Sequence, residues 1–195
     1  MTQTRFYPLS RFSPLTAQES ELVLSWRNQP HIRRMMHQDA EISFEQHQAW
    51  FADIKGRSDR AFFVFYQNDK AIGVLNFSKK TDHSLEWGCY LGETQVWPGS
   101  GLLLEIAALD YAASQADIQT LYAEVLSLNK NVLKLHQLFE YDEDSCRQGG
   151  FRDQEVYQVH CFSYPVQKWQ QERQRILHKL PPAIREAAAL ITFTD

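Results

Sequence analysis

Between residues 97 and 102 the chain reads Trp97-Pro98-Gly99-Ser100-Gly101-Leu102, two glycines one residue apart just ahead of an apolar helical pattern. Glycines placed so let successive backbone N–H groups turn toward one anion, and the helix dipole adds to the attraction. A pyrophosphate suits that arrangement; a plain glycine-rich loop at a helix start is the other way to read it. Glu124 stands in a β-rich run, Thr120 to Leu126, where an unpaired buried carboxylate is costly, so it is expected to face a cleft. His136 carries an imidazole whose reference pKa of ~6.5 suits it to giving a proton near neutrality; lining a groove beside Asn129 is its structural alternative. Met36 and Trp50 are apolar residues that core packing explains, although an aromatic ring can also stack on a nucleobase for roughly 1–3 kcal/mol. Arg27 and Asn28 read as helix-end residues, and His47 as a packing histidine.

Other chemistries lack their residues. There is no G-x-x-x-x-G-K-[ST] phosphate loop, no H-E-x-x-H metal pair and no G-x-S-x-G nucleophile elbow. The seven histidines and three cysteines show no metal-ligand spacing, so no metal is expected. With 20 Lys+Arg against 24 Asp+Glu the net charge is −4, which argues against sequence-independent nucleic-acid binding. Cys89, Cys146 and Cys161 are too few for a disulfide framework. The first residues hold no secretory apolar region and no run is long enough to cross a bilayer, so a cytoplasmic location without membrane contact is expected.

The elements that must position these residues are readable in outline. Thr16 can cap a helix running to about Asn28, and Ser43-Phe44-Glu45-Gln46 has the form of a capping box opening a helix that ends near Gly56. Residues 61–66, 71–77 and 85–91 read as a three-stranded antiparallel meander. Leu102, Ile106, Leu109 and Ala113 mark a buried helix face. A strand over 120–126 follows, then a helix opened by Asn129 with Val132, Leu135 and Phe139 on one face. Asp142-Glu143-Asp144 reads as an acidic turn, and Gly149-Gly150 as the lead into a last strand pair ending near Tyr164. Residues 166–180 read as an extra helix with a basic excess (Lys168, Arg173, Arg175, Lys179 against Glu172), stopped by Pro181-Pro182. The expected division is a domain over 1–165 and a helical extension over 166–195. Helices and strands in this order make an α+β, or mixed α/β, layered domain rather than a doubly wound one.

A Gly-x-Gly helix start after a strand, followed by a strand and an Asn-initiated helix, resembles the GNAT superfamily of acetyl-CoA-dependent N-acetyltransferases. The family's phosphate motif, Q/R-x-x-G-x-G/A, is matched by Gly99 and Gly101, with Val96 in its first place. Its later helix, N-x-x-A-x-x-x-Y-x-K-x-G-F, is matched by Asn129, with Val132, His136 and Glu140-Tyr141 as departures. The resemblance implies a mostly antiparallel twisted sheet, splayed at the acetyl-CoA site and flanked by helices. It implies acetyl-CoA as co-substrate, held by Tyr90, Leu91, Trp97, Pro98, Gly99, Ser100, Gly101, Leu102, Asn129 and His136. It also admits a homodimer, since dimers are common in the superfamily.

The N-terminal half carries a narrower resemblance. Arg27-Asn28-x-Pro30, Met35-Met36-His37, Ile42-Ser43 and His47-x-x-Trp50, then Glu86-Trp87-Gly88-Cys89-Tyr90 and Ala123-Glu124-Val125, look like the sugar-nucleotide N-acetyltransferases of pseudaminic-acid biosynthesis. Those enzymes acetylate the 4-amine of UDP-4-amino-4,6-dideoxy-N-acetyl-β-L-altrosamine. By that resemblance Met36, His37, Trp50, Glu86, Tyr90 and Glu124 fall where the nucleotide sugar is held. Acyl transfer from a thioester needs a neutral amine, a donor for the oxyanion and a proton for the thiolate. The resemblance assigns the donor to the Tyr90 or Leu91 N–H and the thiolate's proton to His136; water or Glu124 takes the amine's proton. An N-acetyltransferase of a protein N-terminus or polyamine, and a non-catalytic acetyl-CoA-binding module, are the alternatives.

Overall fold

The computed structural model describes residues 7–194; the sequence reading of residues 1–6 lies outside them. In chain order the elements are β1 (Ser10–Pro14), α1 (Ala17–Arg27), α2 (Pro30–Arg33), α3 (Phe44–Ile54), β2 (Arg60–Gln67), β3 (Lys70–Thr81), β4 (Ser84–Leu91), α4 (Ser100–Ser114), β5 (Thr120–Leu126), α5 (Lys130–Phe139), β6 (Asp142–Arg152), β7 (Glu155–Pro165), α6 (Val166–Leu177), α7 (Pro182–Ala188) and β8 (Thr192–Phe193). The strands form one sheet in the order β6-β7-β5-β4-β3-β2-β1-β8. Neighbours are antiparallel except β4 with β5 and β1 with β8.

Local chemistry starts the helices where the sequence predicts. Thr16 and Glu19 form a reciprocal capping box on α1. On α3 the Gln46 N–H donates to Ser43 Oγ at 3.2 Å, and the Ser43 N–H to Gln46 Oε1 at 2.9 Å. Each box satisfies two otherwise orphaned donors. Asn28 ends α1, and its side chain pins the Ile42 backbone through bonds of 2.9 and 2.8 Å.

One face of the sheet carries α4, which is buried on nearly every side because α6 and α7 cover it. Phe12, Phe65, Leu75, Ile106, Leu121, Tyr164, Trp169 and Ile176 share one core there. Residues 166–194 thus pack into the core that the strands build. Trp169 Nε1 donates to Asp110 Oδ1 at 2.8 Å, and Arg173 grips the same carboxylate at 2.7 and 2.8 Å. The other face carries α1, with Val23 and Trp26 against Val64 and Val74.

Three local expectations need correction. Asp142-Glu143-Asp144 is the start of β6, an exposed strand at the sheet edge whose charges suit an edge that must not recruit another strand. Gly149-Gly150 lies inside β6 at a register shift; the hairpin turn is Asp153-Gln154, both with positive φ. Pro182 begins α7 as its first residue rather than only stopping the helix before it, since a missing N–H costs nothing there.

Candidate active site

β4 and β5 pair only over Ser84–Glu86 against Thr120–Tyr122, although β4 continues to Leu91 and β5 to Leu126. Beyond Glu86 the two strands part. A cleft of about 660 Å³ opens between them, walled by 87–91 and 123–126, with the start of α4 and one side of α5 at one end. Residues of α1, α3 and the 31–42 segment close the other end. No helix among the described residues is long and apolar enough to cross a membrane.

Of the residues expected around the co-substrate, Tyr90, Leu91, Gly101, Asn129 and His136 line the cleft. The Ser100 and Leu103 N–H groups are taken by the Trp97 and Gly99 carbonyls, whereas those of Gly101 and Leu102 find no backbone acceptor among the described residues. Gly101 faces open space, the nearest atom to an added Cβ being Leu135 Cδ1 at 3.9 Å. Two free donors at an open helix start are what an incoming pyrophosphate needs. Asn129 caps α5 by accepting from the Val132 N–H at 3.3 Å.

Trp97, Pro98, Gly99, Ser100 and Leu102 do not line the cleft. Ser100 is fully buried, its hydroxyl 2.9 Å from Gln67 Oε1 and 2.7 Å from the Trp97 carbonyl, so it serves the core rather than a ligand. Gly99 answers to packing: a Cβ there would lie 2.1 Å from the Trp97 ring and 2.2 Å from Ile184 Cδ1.

All six residues expected at the acceptor end line the cleft. Trp50 packs edge-on to Phe62 at 5.1 Å and tilted on His47 at 5.0 Å. His47 is buried, with Nε2 2.8 Å from the Ser20 carbonyl and 3.0 Å from its hydroxyl, which makes it the packing histidine expected. Glu124 is held by Arg147 Nη2 at 2.8 Å and His37 Nε2 at 3.2 Å. Partial burial pushes its carboxyl up, but the Arg147 bond and the neighbouring positive charges outweigh that and hold it below the usual range. Glu86 is paired with Lys80 Nζ at 2.7 Å.

Arg147 and Arg152 were not singled out by the sequence, because both sit in a stretch that reads as turn and loop. Arg27 proves to line the cleft as well as bond the Gln38 carbonyl at 2.7 Å, and its Nη1 has no partner. Glu105 was also missed, although a single acid within Leu102–Leu109 was a legible signal.

His136 is 1 % exposed, stacked on Tyr141 at 4.4 Å, with Nε2 3.6 Å from Glu105 Oε1. Burial pushes the imidazole down to about 4 and the Glu105 carboxyl up to about 8. The ring is therefore uncharged near neutrality, since charging it would strand a cation in an apolar surround. A proton given by His136 would be the N–H of the neutral imidazole rather than that of an imidazolium. Glu143, Cys146 and His160, a grouping able to hold a metal ion, lies on β6 and β7 outside the cleft.

A sheet split between two parallel strands, with a helix opening on Gly-Ser-Gly at the split, defines the class. The chain belongs to the GNAT acetyltransferases, which are acetyl-CoA-dependent N-acetyltransferases; a family model described as an acetyltransferase (GNAT) domain matches residues 11–139. It is 34 % identical over 139 residues, covering 70 % of this chain and 87 % of the relative, to acetyltransferase PseH of Campylobacter jejuni serotype O:23/36. To acetyltransferase PseH of serotype O:2 it is 32 % identical over 160 residues, 80 % of this chain and 98 % of that one. The crystal structure of Campylobacter jejuni N-acetyltransferase PseH superposes with a TM-score of 0.56 at 26 % identity, covering 81 % of this chain and 99 % of that one. Spermidine N-acetyltransferase from Vibrio cholerae, in complex with CoA and spermine, superposes with a TM-score of 0.77 at 15 % identity over 83 % of this chain and 98 % of that one, a likeness of fold.

Proposed function

We propose that the chain transfers the acetyl group of acetyl-CoA to the 4-amine of UDP-4-amino-4,6-dideoxy-N-acetyl-β-L-altrosamine, a step of pseudaminic-acid biosynthesis. The observation that carries this reading is the charge state of the cleft. Its three carboxylates are all neutralised: Glu86 by Lys80, Glu124 by Arg147 and His37, and Glu105 by retaining its proton. A polyamine, which carries several positive charges, finds no free carboxylate to bind. Arg27 on the cleft wall instead brings a cation toward a diphosphate, and Trp50 and Met36 offer apolar surface to a uracil or sugar ring. The relatives named acetyltransferase PseH support the same reading.

In this reading the free N–H groups of Gly101 and Leu102 receive the pyrophosphate of acetyl-CoA, and the β4 backbone at Tyr90 or Leu91 faces the thioester oxygen. One well-placed donor to the oxyanion is worth ~2.7–4 kcal/mol. Glu124, with its proton affinity lowered, orients the sugar through His37 and Arg147, and water takes the amine's proton. His136 gives a proton to the departing thiolate. Trp50→Ala should raise the acceptor KM by about tenfold or more, with acetyl-CoA affinity nearly unchanged in a calorimetric titration. Equal losses of both, with a lowered Tm, would make Trp50 a packing residue and remove it from the acceptor site.

A further inference from the structure

Four buried side chains from four parts of the fold leave five polar atoms without hydrogen-bond partners around one point beneath the cleft. They are Trp87 Nε1 on β4, Glu105 Oε1 on α4, both ring nitrogens of His136 on α5, and the Tyr141 hydroxyl just before β6. Glu105 is 2 % and His136 1 % exposed, and Trp87, Glu105 and His136 line the cleft. Buried polar atoms are almost always paired; here only the Tyr141 hydroxyl leans toward Glu105 and Trp87, and both ring nitrogens of His136 stay unpaired, so the cluster calls for a functional explanation. No lysine or arginine pairs with Glu105 among the described residues; His136 Nε2 at 3.6 Å is its charged-type contact. The groups facing it from the elements packed around it are His136, Tyr141 and Cys89, whose thiol burial pushes up.

We propose that Glu105 is the proton source behind His136: its carboxylic O–H hydrogen-bonds to Nε2, fixes the Nδ1–H tautomer and resupplies the ring as Nδ1 gives its proton away. This rests on the reading of His136 as donor to the thiolate. As the amine nitrogen bonds to the acetyl carbon and the carbon–sulfur bond breaks, the thiolate takes the Nδ1 proton. Nε2 takes the proton of Glu105, leaving a neutral imidazole of the other tautomer and a carboxylate. The proton lost by the amine enters water; once CoA has left, Nδ1 takes a proton from solvent as Nε2 returns its own to Glu105, which restores the starting state. The gap of 3.6 Å exceeds a hydrogen bond, and the relay requires the broad terminal torsion of Glu105 to turn its O–H toward Nε2. Burial holds Glu105 up at about 8, close to the ~8.5 of an ordinary thiol. The carboxyl therefore keeps its proton near neutrality while lying close to the operating pH, which general acid catalysis favours. A free imidazolium at about 4 could not be populated to do this.

Two measurements test the relay. With ¹⁵N-labelled histidine in the ligand-free protein at neutral pH, His136 should show a protonated Nδ1 and an accepting Nε2 whose signal moves as pH passes about 8. A protonated Nε2 overturns the proposal, and this readout needs no variant to fold. With one acceptor, Glu105→Gln should lower kcat by roughly 10–100-fold at unchanged acetyl-CoA Kd and abolish the fall of kcat above pH ~8. Wild-type kcat with the alkaline limb retained overturns it. His136→Phe separates the two readings: if His136→Phe keeps wild-type kcat, the donor role of His136 fails, and if it loses kcat while Glu105→Gln does not, only the relay fails.

Discussion

Arg152, at the end of β6, donates through Nη1 to the backbone carbonyl of Met36 at 2.8 Å, joining the β6–β7 hairpin to the 34–39 wall of the cleft. The same guanidinium reaches the Arg34 carbonyl at 2.6 Å, the His37 carbonyl at 3.3 Å and Asp39 at 3.0 Å, and is 7 % exposed. It thus satisfies three carbonyls in a segment that has no sheet or long helix to do so. Met36 and His37, whose carbonyls it holds, line the cleft.

Removing that clamp leaves carbonyls unpaired, at a cost of about 1–3 kcal/mol per buried group. Arg152→Ala should raise the acceptor KM by about tenfold or more while acetyl-CoA Kd stays within about twofold, since the donor end rests on α4 and α5. Steady-state kinetics with both substrates varied checks it. An unchanged acceptor KM would mean that the 34–39 segment holds its shape without the hairpin.

Gly101 gives a clean test of the donor end. Space exists for a larger side chain, with 3.9 Å to the nearest atom from an added Cβ, so Gly101→Val should keep the fold. It should weaken acetyl-CoA by more than about tenfold, because branching at this position blocks the approach of an anion to the free N–H groups. Native circular dichroism with unchanged affinity would remove the helix start from the pyrophosphate site.

Glu140 stands where the family usually has a glycine, in the left-handed region at φ 65, which costs an L-residue roughly 1–2 kcal/mol. The basic face of α6 compensates. Arg175 holds the carboxylate at 2.9 and 2.6 Å, Lys179 joins it, and Lys168 Nζ donates to the backbone carbonyl at 2.5 Å. The Arg175 and Lys179 bonds hold the Glu140 carboxyl down at about 2, against an ordinary value of 4.5. A depressed carboxylate stabilises the fold above its unfolded value and loses that contribution as pH falls toward the folded one. Glu140→Gln should therefore lower Tm by about 1–3 °C at neutral pH. The difference from wild type should shrink between pH 4.5 and about 2. A pH-independent difference in thermal melts would assign the effect to the backbone alone.

Much of this arrangement is legible in the sequence. Thr16 and Ser43 announce α1 and α3 because capping is local chemistry, and the meander of β2 to β4 follows from apolar runs broken by Asn68-Asp69. The cleft residues Met36, His37, Trp50, Glu86, Tyr90 and Glu124 could be named through the family resemblance. What stayed hidden depends on contacts distant in sequence. β6 is exposed along most of its length, so its side chains carry no apolar period and it reads as a turn. Arg152 and Met36 meet across 116 residues. Glu105 stands out as the one acid in an apolar helix stretch, but the sequence does not show that it meets His136, 31 residues on, beneath the cleft. The basic run of 166–180 likewise looks like a solvated face until Glu140 and Asp110 supply its partners.

The central claim is that this acetyltransferase has a cleft built for a nucleotide-linked amino sugar. Its most direct test is kcat/KM for UDP-4-amino-4,6-dideoxy-N-acetyl-β-L-altrosamine, spermidine and an N-terminal peptide under one set of conditions. Thiol release gives the rate, and mass spectrometry identifies the acetylated product. A preference of at least about 100-fold for the nucleotide sugar is predicted, because the neutralised carboxylates offer a polyamine nothing in exchange for its desolvation. Spermidine or the peptide acetylated as efficiently as the nucleotide sugar would contradict the account.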